Sequence, residues 1–279
     1  MSGFESHGDR VRLVAEEAGD GIAVVLLHGL TATRRYVVMG SRSLERSGHR
    51  VIAYDARGHG GSSPAPSADA YGYEHLAADL AAVLDDRGLT TAVLVGASMG
   101  AHTVLRYALT APERVAGLVV VTPSFDPRAG TDRGALARWD ALATGLRDGG
   151  VEGFVAAYGS PAVPPQWRET IVRVLRQRLS AHRHPEAVAD ALQAVPRSRP
   201  FERLDALTAI EAPTAVVASR DEVDPDHPRA VAEAYAQHIG PARLVTEEHG
   251  ESPLAWQGGR LSKVIADVAA RADRSGRSD

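Results

Sequence analysis

Apolar and polar residues along this chain follow two patterns in turn. Short unbroken apolar runs are separated by longer stretches in which apolar residues recur every three or four positions. Ile22 to Leu27 (IAVVLL), Arg50 to Tyr54, Thr91 to Val95 and Val115 to Val121 are runs of the first kind. A run without polar alternation suits a strand that is covered on both faces of a parallel sheet. Val11 to Glu16 reads as a short leading strand. Between the runs, Arg35 to Ser47 reads as a helix closed by Gly48. Tyr73 to Arg87 reads as a second, with Leu76, Leu80, Val83 and Leu84 on one face and Gly88 at its end. Ala101 to Ala111 reads as a third. Strict alternation of strand and helix predicts an α/β fold: a mostly parallel, doubly wound sheet with helices on both faces.

After about Ser124 the pattern changes. From there to Leu207 no strand-like run occurs. Helical patterns fall at Leu136 to Arg147, Glu152 to Tyr158, Gln166 to Ser180 and Pro185 to Ala194, punctuated by Pro161, Pro164, Pro165, Pro196 and Pro200. This predicts a core of residues 1–123 and 208–279, interrupted by a helical cap (lid) at 124–207. Gly149-Gly150 and Gly159 are hinge candidates within it. The alternation resumes with a strand at Thr214 to Ser219 and a helix at Pro228 to His238. A strand at Arg243 to Thr246 and a helix at Ser252 to Ala270 follow, and Asp273 to Asp279 reads as a frayed polar tail.

Gly96-Ala97-Ser98-Met99-Gly100 stands where a strand passes into a helix. A serine at such a sharp turn is exposed at the sheet edge, and its neighbours must be small because a Cβ would strike the crossing backbone. That is the geometry of a nucleophile elbow. A serine hydroxyl is a weak nucleophile at neutral pH, so it needs a histidine base and an acid to orient that base. Asp55-Ala56-Arg57-Gly58-His59-Gly60-Gly61-Ser62 is a glycine-rich turn after a strand. It lacks a P-loop lysine and its glycines do not open a helix, which leaves it a scaffolding role in which Asp55 and Arg57 tie loops beneath the site.

The chain has 279 residues, 44% of them hydrophobic, enough for one substantial core with an inserted lid. Its net charge of −4 gives no basic field for nucleic acid. It has no cysteine, hence no disulfide and no thiolate nucleophile, and a cytoplasmic location is expected. No apolar run approaches the ~20 residues that span a bilayer, so no membrane partner is expected. A small molecule is the expected partner, and a homodimer is compatible with the chain.

With HGLT at 28–31, DARGHGGS at 55–62, GASMG at 96–100, a late acidic loop and His249, the chain resembles the α/β-hydrolase superfamily over nearly all of its length outside the insertion. The three early motifs are specific to the superfamily, not to one activity. SPLAWQGG at 252–259 resembles a bacterial subgroup of hydrolases and does not refine the substrate. The resemblance implies a Ser-His-Asp triad in chain order Ser, acid, His. His249, after the last strand, is then the expected base. Asp224 is the favoured acid, Asp221 the alternative, and Asp126 a third choice after an earlier strand. Each of these aspartates could instead cap a helix or form a turn. The oxyanion hole would use the N–H groups of Met99 and Leu30. Ser98 argues against epoxide hydrolases and dehalogenases, which use aspartate as nucleophile. Trp139, Phe154, Tyr158 and Trp167 could line a substrate pocket or form the cap's own core. Arginines outnumber acids from Ser124 to Pro200, which fits an anion-favouring cap or, alternatively, a solvated arginine surface. The expected reaction is hydrolysis of an ester, lactone or similar acyl bond with no metal or organic cofactor. The alternatives are a carbon–carbon bond hydrolase or acyltransferase using the same triad, or a non-catalytic ligand-binding protein of this fold.

Overall fold

The unbroken apolar runs form the centre of one sheet. The computed structural model describes residues 2–130, 132–248, 256 and 258–275. Its strands are β1 (Ser2–Gly8), β2 (Val11–Ala18), β3 (Ile22–Leu27), β4 (His49–Tyr54), β5 (Ala92–Ala97), β6 (Val115–Val121), β7 (Thr214–Ala218) and β8 (Ala242–Thr246). They lie side by side in the order β1-β2-β4-β3-β5-β6-β7-β8. Pairs from β4 to β8 are parallel, whereas β1–β2 and β2–β4 are antiparallel. The helices are α1 (Ser43–Arg46), α2 (Tyr73–Asp86), α3 (Met99–Thr110), α4 (Arg133–Tyr158), α5 (Pro165–Leu179), α6 (Pro185–Ala194), α7 (Arg229–His238) and α8 (Gly259–Ser275).

Successive strand residues point to opposite faces, and each face has its own cover. Val25, Leu27, Leu94, Val120 and Val216 join Leu80 and Leu84 of α2, Leu105 of α3 and Tyr235 of α7 in one buried cluster. Val24, Leu26, Val95, Val119 and Val217 join Leu44 of α1 and Leu261, Ile265 and Val268 of α8 in another. That double burial is why the runs show no polar alternation.

Two elements depart from the sequence expectation. The helix expected at Arg35 to Ser47 is reduced to a 3-10 turn, Arg34–Tyr36, and the four-residue α1. Met39 (φ 44°) and Gly40 (φ 72°) adopt left-handed backbone between them, which no continuous helix can contain. The polar N-terminus, in which no strand is expected, forms β1. It is an edge strand whose Gly3, Glu5 and His7 are exposed while Phe4 and Ser6 turn toward the core and α2, so it needs no apolar run.

No strand occurs among the described residues between β6 and β7. Helices α4 to α6 occupy this stretch, and α4 contains a true break. Gly150 has φ 58° and ψ −144°, and the chain turns back on itself there. Gly145 and Gly153 meet across the turn, where a Cβ on Gly145 would lie 2.5 Å from the Gly153 carbonyl oxygen. The two expected helices at Leu136–Arg147 and Glu152–Tyr158 are the two arms of this hairpin. Its apolar face, including Ala143, Leu146 and Phe154, clusters with Leu175, Val188 and Leu192, and with Leu30, Met99, Tyr71 and Leu76 of the sheet unit. The helices therefore sit on the elbow's side of the sheet.

The loop after β4 is locked by a buried ion pair. Arg57 Nε and Nη2 each donate to the Asp79 carboxylate at 2.7 Å, and Nη1 donates to the Ala70 carbonyl at 2.8 Å. Both side chains are at most 1% exposed. Asp55 accepts from the Arg34 backbone N–H (2.8 Å) and guanidinium and from Gly61 N–H (2.9 Å). A buried charge left without its partner is far more costly than the pair is favourable. Arg57→Met is therefore expected to lower unfolding stability by about 3–5 kcal/mol, read as a shift of the urea midpoint at constant slope. The double variant Arg57→Met/Asp79→Leu should recover most of that loss, since neither charge is then stranded.

Candidate active site

Ser98 sits between β5 and α3 with φ 51° and ψ −110°, a strained left-handed backbone for a side chain with a Cβ. The strain persists because the surroundings leave no alternative. A Cβ on Gly96 would lie 2.1 Å from the Gly100 carbonyl oxygen, and one on Gly100 would lie 2.3 Å from that of Leu27. Both glycines are thus required by backbone contact. Ser98 N–H donates to the Val121 carbonyl (2.9 Å), and the Ser98 carbonyl accepts from His102 N–H (3.1 Å).

Ser98 Oγ lies 2.8 Å from His227 Nε2. His227 Nδ1 lies 2.8 Å from Asp224 Oδ1. With Nδ1–H donating to the carboxylate, Nε2 is left to accept the serine O–H. Both His227 and Asp224 stand on the loop between β7 and α7, three residues apart. Backbone turns from Val223 and Asp224 N–H to the Arg220 carbonyl (2.9 and 3.0 Å) and from His227 N–H to that of Asp224 (3.2 Å) fold the loop tightly. Pro225 and Pro228 flank the histidine, and Pro228 immediately precedes α7 rather than opening it. The loop is anchored on the neighbouring strand. The buried Glu247 accepts from Arg220 N–H (2.5 Å) and from Trp256 Nε1–H (2.7 Å).

Burial acts to lower the pKa of His227, but the charge and hydrogen bond of Asp224, with the charge of Asp226, outweigh it, and the pKa is raised above 6.5. His227 carried no role in the sequence expectation. The signal was there: Asp224-Pro225-Asp226-His227-Pro228 sets an acid and a histidine on one side of a proline-fixed turn. Of the other expected acids, Asp221 accepts from Arg229 N–H at 2.7 Å and caps α7. Asp126 pairs with Arg128 (2.9 Å). His249 lies outside the described residues.

The expected oxyanion donors flank the serine. Met99 opens α3, so its N–H belongs to the first turn, which has no intrahelical acceptor. Leu30 follows Gly29, whose Cα faces the elbow so closely that a Cβ would stand 3.3 Å from Ser98 Cβ. Trp139 and Tyr158 are half-buried against the cluster that holds Leu30 and Met99, and Tyr158 stacks on Phe154 (centroids 6.3 Å apart). Trp167 is half-buried at the start of α5 and belongs to neither that cluster nor the other two.

Three further histidines around the site are neutral, His28 and His102 fully buried and His182 partly so. His28 Nε2 accepts from Ala56 N–H (2.9 Å), and its Nδ1–H donates to the Gly29 carbonyl (2.8 Å), fixing the Leu30 loop. His102 Nε2 accepts from Ser124 and Phe125 N–H (3.1 and 3.2 Å) beneath the elbow. His182, from the segment after α5, accepts from Gly60 N–H (2.8 Å) and donates to the Thr31 carbonyl (3.0 Å). No group of residues that could hold a metal ion occurs among the described residues.

A family model for the alpha/beta hydrolase fold matches residues 22–152. The chain is 34% identical over 204 residues to RutD of Variovorax paradoxus, a proposed carbamate hydrolase, covering 73% of this chain and 75% of that one. The chain belongs to the α/β-hydrolase fold family. It is also 38% identical over 130 residues to epoxide hydrolase A of Mycobacterium tuberculosis, covering 45% of this chain and 39% of that one. Among solved structures, a thermophilic esterase from Thermogutta terrifontis with malate bound superimposes with a TM-score of 0.79 at 26% identity, covering 98% of this chain and 99% of that one. No described helix is long and apolar enough to cross a membrane.

Burial lowers the pKa values of His28 and His102 from 6.5 to about 3. Both bind a proton more readily in the unfolded chain, so their contribution to stability is complete above about pH 6.5. It is lost progressively as the pH falls from there toward 3. Each should cost about 1.4 kcal/mol per pH unit inside that window. Urea midpoints measured between pH 8 and pH 5 should therefore decline with acidification, and His102→Asn should flatten the slope by about one proton's worth.

Proposed function

We propose that this chain is a serine hydrolase that cleaves a small carboxylic ester, or a related lactone or carbamate-like acyl bond, through an acyl-enzyme. The observation that carries this reading is the continuous contact from Ser98 Oγ to His227 Nε2 and from His227 Nδ1 to Asp224 Oδ1, each 2.8 Å. Ser98 is the nucleophile. His227 takes its proton as Oγ attacks the carbonyl carbon, and Asp224 holds the imidazole tautomer and stabilises the imidazolium that forms. The N–H groups of Leu30 and Met99 stabilise the oxyanion. When the tetrahedral intermediate collapses, His227 returns the proton to the leaving-group oxygen. A water activated by the same histidine then attacks the acyl-enzyme, the proton passes through Nε2 to Ser98 Oγ, and the acid is released. Residues 124–207 act as a cap over this centre.

The likeness to an esterase along nearly the whole chain, and to a carbamate hydrolase along three quarters of it, supports acyl-bond chemistry. The likeness to an epoxide hydrolase spans less than half the chain, and serine, not aspartate, occupies the elbow here.

The assignment of the base is testable against the histidine that the resemblance implies. Labelling with a fluorophosphonate probe, read by intact mass, should give one adduct on the wild type. It should be absent in Ser98→Ala and slowed by several orders of magnitude in His227→Ala. His249→Ala should label at close to the wild-type rate. Loss of labelling in His249→Ala with retention in His227→Ala would move the base to the loop after β8.

The pH profile provides a separate check. The neutral imidazole is the reactive form, so kcat/KM should fall as the pH drops through a pKa above 6.5. Asp224→Asn removes the charge that raises this pKa. It should shift the acid limb to lower pH and reduce kcat by about 10⁴-fold through loss of the correct tautomer.

A further inference from the structure

The arginines of the helical insertion differ in their partners. Arg147, Arg176 and Arg197 are on its outer surface and pair with Asp190, Glu152 and Asp140 at 2.5, 2.7 and 2.8 Å. These fit a solvated, charge-balanced surface. Arg178, in the last turn of α5, is directed inward. Its Nη2 donates to the Leu30 carbonyl (3.2 Å) and to Thr31 Oγ1 (2.6 Å), in the loop whose Gly29 faces the elbow. Its Nε is buried without a partner. Both acceptors it has are uncharged, and it forms no ion pair among the described residues. Burial lowers its pKa, while Tyr36, Tyr158 and Asp224 act in the opposite direction without overcoming it. Its charge is felt in turn at His227.

A cation held in a desolvated position beside a reacting centre, with donor capacity unspent and no carboxylate of its own, is matched to an anion that arrives with the substrate. Guanidinium suits this role because it keeps its charge on burial and presents several donors in a fixed plane. Asp224 cannot fill the role, since its carboxylate already engages His227. We propose that Arg178 is a specificity residue that binds a carboxylate at the far end of the acyl chain, so that the favoured substrates are monoesters of short dicarboxylic acids. This rests on the serine-hydrolase reading above. It assigns the anion-favouring character of the cap to one side chain instead of to its overall arginine excess.

The test compares kcat/KM for monoethyl glutarate and ethyl butyrate in the wild type, Arg178→Gln and Arg178→Lys, together with the shift in Tm caused by free glutarate. The wild type should favour the anionic ester. Arg178→Gln should shrink that preference by about 100-fold, as expected when one member of a close charge pair is removed. Arg178→Lys should retain part of it. Glutarate should raise the Tm of the wild type and not that of Arg178→Gln. An equal fall for both esters in Arg178→Gln would reduce Arg178 to a strut for the Leu30 loop and overturn the proposal, as would a wild type without preference. If the wild type neither hydrolyses the esters nor takes up the fluorophosphonate, the serine-hydrolase reading fails by itself. The Tm arm then decides: stabilisation lost in Arg178→Gln supports an anion site, and no stabilisation of the wild type overturns it.

Discussion

The structure depends on the close approach of three backbone segments around Ser98. Gly96 faces Gly100, Gly100 faces the Leu27 carbonyl, and Gly29 faces Ser98, each at a separation that leaves little or no room for a side chain. These contacts bend the chain from β5 into α3 within one residue and hold Ser98 in a backbone region that costs on the order of 1–3 kcal/mol. They also bring the loop after β3, which carries Leu30, against the elbow. The histidines neighbouring that loop follow from the same constraint. His28 ties its own loop to Ala56, and His182 ties Thr31 to Gly60, both through bonds to backbone.

Environment divides the histidines by function although their chemistry is the same. His28 and His102 accept backbone N–H groups in desolvated positions, which makes protonation costly. His227 has a carboxylate on Nδ1 and a hydroxyl on Nε2, and its side chain is 23% exposed. Its protonated form is stabilised where theirs is not. Among these histidines only His227 has a carboxylate partner that makes the charged form tolerable. The neighbouring neutral histidines serve this indirectly, since each can fix a loop without adding a competing charge.

Much of this was legible in the residues. The central strands announce themselves because both sheet faces are covered, and the motifs at 28–31, 55–62 and 96–100 correspond to backbone contacts that few other residues could make. Where the expectation failed, the pattern carried a different kind of information. The stretch from Arg35 to Ser47 has helix-compatible residues, yet its path is set by left-handed backbone at Met39 and Gly40 and by the grip of Asp55 on Arg34, neither of which periodicity records. The edge strand β1 lacks an apolar signature because one face is exposed and the covered face carries only Phe4 beside the small residues Ser6 and Gly8. The base expected at His249 lies outside the described residues, whereas the contacts of His227 with Ser98 and Asp224 arise from local turn chemistry that chain order in the superfamily does not record. That turn sets Asp224 and His227 three apart, with Pro225 between them and Pro228 directly after the histidine.

That spacing has a consequence for how the site holds its shape. When acid and base come from two loops, their separation depends on how both pack. Here Asp224 and His227 share one turn, so their mutual geometry is set by local backbone bonds and by the proline rings that restrict it. What remains to be fixed is the position of the whole turn relative to Ser98. Two anchors accomplish this. Asp221 caps α7, which packs on the sheet, and Glu247 reaches across from the end of β8 to the Arg220 N–H while its other oxygen holds Trp256. Glu247, just past β8, thereby braces the turn through a buried carboxylate, and the histidine in contact with Ser98 Oγ comes from the loop after β7. Placing Asp224 and His227 on a single braced turn replaces a tertiary alignment problem with a local one, beside a serine that is itself held by backbone contact.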